Sequence, residues 1–226
     1  MVSTRDLSKL PEIPALRDQM QRMAALNAAF AVQLGFDEPT FSFAPKWSRH
    51  SQLGCYDNGC GDELYAHFTP AGCFITGFAH ESMMTPYRTD PPILWPGLLD
   101  DVPPEFATSL DEPAFDIQAT TFVVWRRDSD ERWQTSKITY PDDADPDGSE
   151  DLLGELLMSA AEFTEWLEEN YETDVDSAIV LRVFGGEPIA PGELRSLCPD
   201  AKLSDLIDAV SKTGYPIAKL SEEDCG

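Results

Sequence analysis

The apolar residues near the start of the chain recur at steps of three and four. Between positions 14 and 34 they mark one face of a helix: Leu16, Met20, Met23, Phe30 and Leu34. Gly35 follows directly, where glycine commonly ends a helix. The pattern predicts an amphipathic N-terminal helix whose methionines pack in the core. The next stretch, 36–61, is rich in Pro, Gly and small polar residues, and it predicts a loop with room for one short strand.

Two β-hairpins are predicted downstream. In residues 63–79, strand-like runs flank Thr69-Pro70-Ala71-Gly72, a sequence that suits a type I turn with Gly72 at positive φ. A second hairpin is predicted over 120–138, where Thr-Phe-Val-Val-Trp is strong strand material. If Asp128-Ser129-Asp130 forms its loop, Trp125 lies opposite Trp133 and the two indoles share one face.

Helical patterns dominate the last third of the chain. Before it, between the two predicted hairpins, a short helix through Leu110 is expected after acidic residues and Pro103-Pro104. Residues 141–150 are acidic and interrupted by proline, which predicts a solvated linker. Beyond it we expect helices that begin at a Ser159–Glu162 capping box, at Asp176, at Pro191 and near Asp200, and that end before glycines such as Gly185 and Gly214.

These elements predict an α+β fold. A mixed or antiparallel sheet built from hairpins, with an N-terminal helix, precedes a helical C-terminal segment. We divide the chain into an α+β domain over 1–140 with two hairpins, the linker at 141–150, and a helical segment over 151–226. The last segment is expected to pack on the first as one compact unit.

Charge restricts the functional classes. Lys and Arg number 16 against 41 Asp and Glu, so the formal charge is −25. Such a surface repels nucleic acid and anionic membranes, whereas it favours association with a basic protein. No apolar signal segment or membrane span is visible. Five cysteines, Cys55, Cys60, Cys73, Cys198 and Cys225, are an odd number that suits free thiols in a cytoplasm.

Candidate chemistry gathers around His80 and Glu81. The two residues follow a predicted strand and could act as acid and base, although Met84 stands where a zinc-protease helix needs its second His. A structural His beside an exposed Glu is the competing interpretation. Trp95, Trp125 and Trp133 are the candidates for a binding surface, with Trp95 also placed to line a cleft near His80.

Two patterns resemble metal sites, and both have simpler interpretations. Cys55, Cys60, His67, Cys73 and His80 offer zinc ligands, but their spacing departs from finger motifs and buried, inert cysteines are favoured. Asp143, Asp145 and Asp147, followed by Gly148, resemble the first half of a calcium loop. Gly154 stands at the twelfth position, where that loop requires Glu, so a solvated acidic segment is favoured. No cofactor is predicted.

Several motifs together resemble a family of bacterial cytoplasmic proteins that has no assigned activity. They lie mainly in residues 61–133 and include Gly61-Asp62-Glu63, His80-Glu81-Ser82, Trp95-Pro96-Gly97 and Glu112-Pro113-Ala114-Phe115, with Gly214-Tyr215-Pro216 near the end. The resemblance implies no catalytic residues. We therefore expect a non-enzymatic protein that binds a protein partner, with an immunity or antitoxin protein as one such class; a small enzyme with a cleft around His80 and Glu81 is the alternative.

Overall fold

The computed structural model describes residues 1–36 and 38–219. Helix α1 (Ile13–Leu34) precedes strands β1 (Phe41–Ser48), β2 (Ser51–Asp57), β3 (Glu63–Thr69), β4 (Gly72–Phe78) and β5 (Phe122–Arg127). Helix α2 (Ala107–Leu110) lies between β4 and β5. The helices α3 (Ser149–Glu155), α4 (Ala160–Tyr171), α5 (Ser177–Phe184), α6 (Pro191–Leu197) and α7 (Leu203–Lys212) follow β5. The strands form one sheet in the order β1-β2-β3-β4-β5. The predicted α+β class, with hairpins between an N-terminal helix and C-terminal helices, is confirmed.

Contacts divide the chain into two compact units. The first comprises Met1–Leu16 and Lys46–Leu157, and the second comprises Arg17–Pro45 and Met158–Gly226. Each unit therefore combines an early segment with a later one. The predicted division has a single boundary at the acidic stretch 141–150, so it does not have this interleaved form.

The β3–β4 hairpin forms as predicted. Thr69 pairs with Gly72 across a turn made by Pro70 and Ala71, and Gly72 has φ 139°. Alternation along these strands sends successive side chains to opposite faces of the sheet. One face carries a core of Phe74, Val123 and Trp125, over which Phe106 packs. The segment that contains α2 thus covers this face in the first unit.

The loop predicted over 36–61 is wrong in one respect. Its residues form two strands, β1 and β2, joined at Arg49-His50. The Pro and Gly content suggested a loop, yet Pro45 lies in β1, which is the edge strand of the sheet, where a residue without an N–H is tolerated. Pairing of β2 with β3 over Gln52–Asp57 supplies the remaining order.

The second predicted hairpin is reduced to β5 and one isolated bridge, and its predicted register is also wrong. Trp125 pairs with Gln134 instead of Trp133, and each residue donates its N–H to the other's carbonyl at 2.8 Å. The connection begins with a β-turn in which the Asp130 N–H bonds to the Arg127 carbonyl at 2.9 Å, and it has one residue more between the paired positions than the predicted loop allows. A one-residue change of register sends neighbouring side chains to opposite faces, so the two indoles do not meet as a cross-strand pair.

Local signals predict the second unit well. The capping box of α4 is present, with Ser159 and Glu162 bonded to each other's backbone N–H. Asp176 caps α5 by accepting the Ala178 N–H at 3.0 Å. Further along, the Tyr215 hydroxyl donates to the carbonyl of Glu187 at 2.7 Å and lies 3.0 Å from that of Val183.

The acidic segment at 141–150 is not the solvated linker that its composition predicts. Asp147 is only 1% exposed, and its carboxylate accepts hydrogen bonds from the Thr4 hydroxyl at 2.5 Å and the Ser149 N–H at 3.0 Å. Its carbonyl accepts from Thr121 at 2.7 Å. Asp145 accepts from the Glu150 N–H at the start of α3. Partners distant in sequence therefore fix a segment whose composition alone is typical of a linker.

Candidate functional site

His80 lies beside Asp62 at the surface of the first unit. The Asp62 carboxylate accepts from the His80 backbone N–H at 2.8 Å and from ring Nδ1 at 2.7 Å. Asn58 donates to the same carboxylate at 2.9 Å within the β2–β3 loop, and the bonds from His80 tie this loop to the end of β4. On the other side of the ring, Nε2 is 3.7 Å from a Glu81 oxygen. An acid–imidazole pair of this kind orients the ring and stabilises its charged form.

The electrostatics of this pair follow from its hydrogen bonds. The bond to Asp62 raises the pKa of His80, and the charges of Asp62 and Glu81 act in the same direction. Partial burial acts to raise the pKa of Asp62, but the hydrogen bonds from His80 and Asn58 outweigh it, so the pKa is lowered. The side chains of His80 and Glu81 are 41% and 89% exposed. This is an open surface rather than the concave, water-excluding site that catalysis by the two groups would use.

The three Trp candidates have different positions. Trp125 and Trp133 are only 2% and 4% exposed, so neither presents its indole to a partner. Trp133 donates its ring N–H to the Pro11 carbonyl at 2.8 Å. Trp95 is partly exposed and donates to the Thr139 carbonyl at 2.9 Å. Only Trp95 of the three can contribute to a surface site.

The described ranges, 1–36 and 38–219, contain no group of three His, Cys, Asp or Glu residues that could hold a metal ion. Strand alternation separates two of the zinc candidates. His67 pairs with Phe74, so Cys73, which is adjacent to Phe74, points to the opposite face of the sheet. Burial also raises the pKa of the Cys73 thiol. The calcium candidates differ in burial. All three carboxylates accept backbone N–H groups, but Asp147 is buried and Asp145 half-buried, whereas Asp143 is exposed. Cys225 lies outside the described residues.

An exposed apolar surface occupies the segment 83–93, which the sequence analysis missed. Met83, Tyr87 and Ile93 are 51%, 59% and 55% exposed. The segment folds back on itself, because the Ile93 N–H donates to the Pro86 carbonyl at 3.2 Å. We call these three side chains the 83–93 surface. The prolines at 86, 91 and 92 are the sequence feature from which this exposure could have been inferred. They exclude a regular helix that would bury one face of the segment.

Arg88 and Trp95 hold this segment in place. Nη1 of Arg88 donates to the carbonyl of Thr85 at 2.7 Å and lies 3.3 Å from that of Met84. The Arg88 guanidinium carbon lies 4.8 Å from the centre of the Trp95 ring, a cation–π contact. The bond from Trp95 to Thr139 anchors the indole in turn. Trp95 therefore positions the 83–93 surface.

A shallow surface pocket, too small to hold a water molecule, adjoins this surface. Glu63, Tyr65, Phe78 and Phe115 line it, and Tyr65 stacks on Phe115 with ring centres 5.2 Å apart. The ring of Phe78 contacts Tyr87 edge to face at 5.8 Å, which connects the pocket with the 83–93 surface. The Glu63 pocket and the 83–93 surface thus form one continuous region within the first unit.

His67 is a buried imidazole below this region. The residue is 5% exposed, Nδ1 lies 2.9 Å from the Ser109 hydroxyl, and Nε2 has no hydrogen-bond partner among the described residues. Burial lowers the pKa of His67, against the opposing effect of the negative charge on Glu112. The folded protein therefore keeps this ring neutral at a pH where the unfolded chain protonates it. Such a group makes the fold sensitive to acid.

Acidification from about pH 7.5 to about pH 5.5 is expected to lower the free energy of unfolding through His67. The stability associated with the neutral His67 ring is fully present above the pKa of this histidine in the unfolded chain. It is lost progressively as the pH falls below that value. The raised pKa of His80 acts oppositely, since the stability it provides is lost as the pH rises through the folded pKa. Denaturant unfolding of the double variant His67→Phe/Ser109→Ala should show a smaller loss in acid than the wild type.

The matched control is Ser109→Ala alone. This variant loses the hydrogen bond but keeps the buried imidazole, so its acid dependence should persist. Equal slopes for the wild type and the double variant would show that His67 is not responsible.

Comparisons with protein-family models, curated proteins and solved structures found no match to this chain. The resemblance noted in residues 61–133 therefore stays a prediction. Within the described part of the chain, no helix has the length and apolar character needed to cross a membrane.

Proposed function

We propose that this chain binds a basic protein partner through the 83–93 surface. The observation that carries the proposal is the exposure of three large apolar side chains, each by more than half, on one short segment. Contiguous apolar groups at the surface of a folded protein commonly mark an interaction site. Met and aromatic residues are also enriched at protein interfaces.

The restraint of this segment supports the same function. Because Arg88 and Trp95 already hold the backbone, binding would order few additional torsions. A preordered surface loses less conformational entropy on association, and more of its contact energy appears as affinity. The 83–93 surface is therefore suited to a stable complex.

The net charge of −25 supports a basic partner. A strongly negative protein attracts a basic one over long range and increases the rate of encounter. A basic toxin bound by its immunity protein is one such pair, and we propose it as the biological class. The bacterial origin and cytoplasmic location expected from the sequence stay predictions. Catalysis at His80 and Glu81 has less support, because both side chains lie open to solvent.

Site-specific crosslinking tests the proposal. A photoreactive amino acid at position 93, introduced in the native host, should capture a basic protein, and the same group at position 181 should not. Leu181 is 65% exposed and lies in the second unit, so it controls for general surface stickiness. The captured protein is then purified and its Kd for the chain is measured by calorimetry.

Ile93→Ser and Tyr87→Ser should each weaken the complex about tenfold or more, which corresponds to about 1.4 kcal/mol. Leu181→Ser should leave the Kd unchanged. Failure to capture any protein at position 93, equal capture at both positions, or an unchanged Kd for both variants would contradict the proposal. Crosslinking of the chain only to itself would instead indicate a homomeric interface and would also overturn it.

A further inference from the structure

The methionine of the 83–93 surface is exposed, whereas its neighbour in the chain is buried. Met83 is 51% exposed, and Met84 is 0% exposed. Met20 and Met23, which lie in α1, are 2% and 0% exposed. Oxidation of a thioether requires contact between the oxidant and the sulfur, so burial of a methionine slows it. The fold therefore leaves Met83 open to oxidants while it protects Met84 and the two methionines of α1.

Backbone hydrogen bonds hold the two methionines in these different environments. The Thr85 N–H donates to the Ser82 carbonyl at 3.2 Å and closes a turn that contains both methionines. The Met84 N–H donates to the Pro146 carbonyl at 3.0 Å, which fixes the turn to a segment distant in the sequence. Met83 and Met84 cannot exchange places without loss of these bonds. The Met83 side chain therefore belongs to the 83–93 surface and not to the core.

We propose that Met83 is a site of reversible oxidation by peroxide, through which the 83–93 surface loses affinity for the protein partner. The inference rests on the proposed function and adds a regulation to the same surface. The thioether of methionine is apolar and polarisable, whereas the sulfoxide is polar. Burial of the sulfoxide oxygen in an apolar contact removes its bound water without a hydrogen bond in exchange. Oxidation of Met83 therefore opposes burial of one of the three side chains that form the surface.

The oxidation is a two-electron oxygen transfer. A lone pair of the Met83 sulfur attacks one oxygen of hydrogen peroxide, and the S–O bond forms as the O–O bond breaks. The second oxygen leaves as hydroxide and takes the proton of the transferred oxygen, so the products are the sulfoxide and water. Sulfur loses the two electrons that the peroxide gains. Methionine sulfoxide reductases reverse the change, so the surface can regain its apolar form.

Treatment of the full chain with hydrogen peroxide tests the site without the partner. Under conditions that keep the protein folded, peptide mass spectrometry should find oxygen on Met83 at least about tenfold sooner than on Met84, because only the first is exposed. Fragment ions that separate the two residues locate the added oxygen. The methionines of α1 should react as slowly as Met84. Equal rates for Met83 and Met84 would overturn the inference.

Met83→Leu and Met84→Leu form the matched pair of variants. Both keep an apolar side chain of similar volume, but only Met83→Leu removes the exposed thioether. On a phenyl hydrophobic-interaction column, peroxide should shorten the retention of the wild type and of Met84→Leu, and it should change that of Met83→Leu much less. Met1 is 84% exposed and is oxidised in all three proteins, so it does not account for a difference among them. Equal shifts for the two variants would contradict the assignment to Met83.

Calorimetry with the captured partner measures the effect on binding. The chain is oxidised and freed of peroxide before mixing, so the partner itself is not modified. Oxidation should raise the Kd of the wild type about tenfold or more, and methionine sulfoxide reductase should restore it. Met83→Leu should bind with an affinity close to that of the wild type before and after peroxide. Met83→Gln, which places a polar group at the same position, should bind weakly without any oxidant.

The outcomes separate this inference from the proposed function. If peroxide oxidises Met83 selectively and shortens retention but no partner is captured at position 93, the oxidation site stands and the proposed function fails. If a partner binds through Ile93 and Tyr87 while oxidation of Met83 leaves its Kd unchanged, the regulation fails and the proposed function stands.

Discussion

Gly72→Ala is expected to destabilise the protein by more than about 3 kcal/mol. Gly72 has φ 139°, a backbone conformation that residues with a Cβ rarely adopt. A Cβ built there would lie 2.1 Å from the Arg126 carbonyl oxygen and 2.7 Å from the Arg127 Cα. Both atoms belong to the backbone of β5, so relief of the clash requires the β4–β5 pairing to shift. Denaturant unfolding at constant pH measures the loss.

Two other glycines separate the causes of this effect. Gly59 has φ 69° but open space around the built Cβ, so Gly59→Ala should cost only about 1 kcal/mol for the backbone conformation. Gly154 lies within α3, with no positive φ and no atom near the built Cβ. Its replacement by Ala should be neutral or stabilise by about 0.5–1 kcal/mol. A loss at Gly72 no larger than that at Gly59 would contradict the steric argument.

Asp147→Ala is expected to lower the free energy of unfolding by about 3 kcal/mol. The substitution removes the acceptor for the Thr4 hydroxyl and the Ser149 N–H, both of which are buried. Buried donors without partners retain the cost of their lost hydration. Since Thr4 and Asp147 belong to distant parts of the sequence, the loss should also expose residues 1–10 and the start of α3 to hydrogen exchange.

Asp143→Ala is the control for charge and for position in the same segment. The Asp143 side chain is exposed and accepts only the Asp145 N–H, at 3.0 Å, so its removal should cost less than about 1 kcal/mol. Equal costs for the two substitutions would show that the segment is the solvated linker that its composition predicts.

Short-range patterns predicted the elements that depend on neighbouring residues. The capping box at Ser159 and Glu162 needs only residues three apart, and the turn before Gly72 needs only four positions. The residues that form these signals are neighbours in the sequence, so they are also neighbours in space. The same reasoning missed the β1–β2 hairpin, because pairing with β3 overrides the local preference of a stretch rich in Pro and Gly.

The proposed binding region could not be predicted from such patterns. Glu63 and Phe115 are far apart in the sequence, and only the fold brings them into one pocket. Tryptophan is common in binding surfaces, yet the strand register and the covering segment bury both Trp125 and Trp133. The exposure of Tyr87 and Ile93 could not be predicted from the sequence, because it depends on whether other segments pack against them.

The sequence by itself determined the helix boundaries at their caps, the β3–β4 turn, the α+β class and the excess of negative charge. The tertiary structure decided the strand register at Trp125, the burial of Asp147 and the exposure of the 83–93 surface. The physical reason is the range of the interactions. Caps and turns satisfy hydrogen bonds among neighbours in the chain, whereas burial and exposure depend on segments that meet only after the chain has folded.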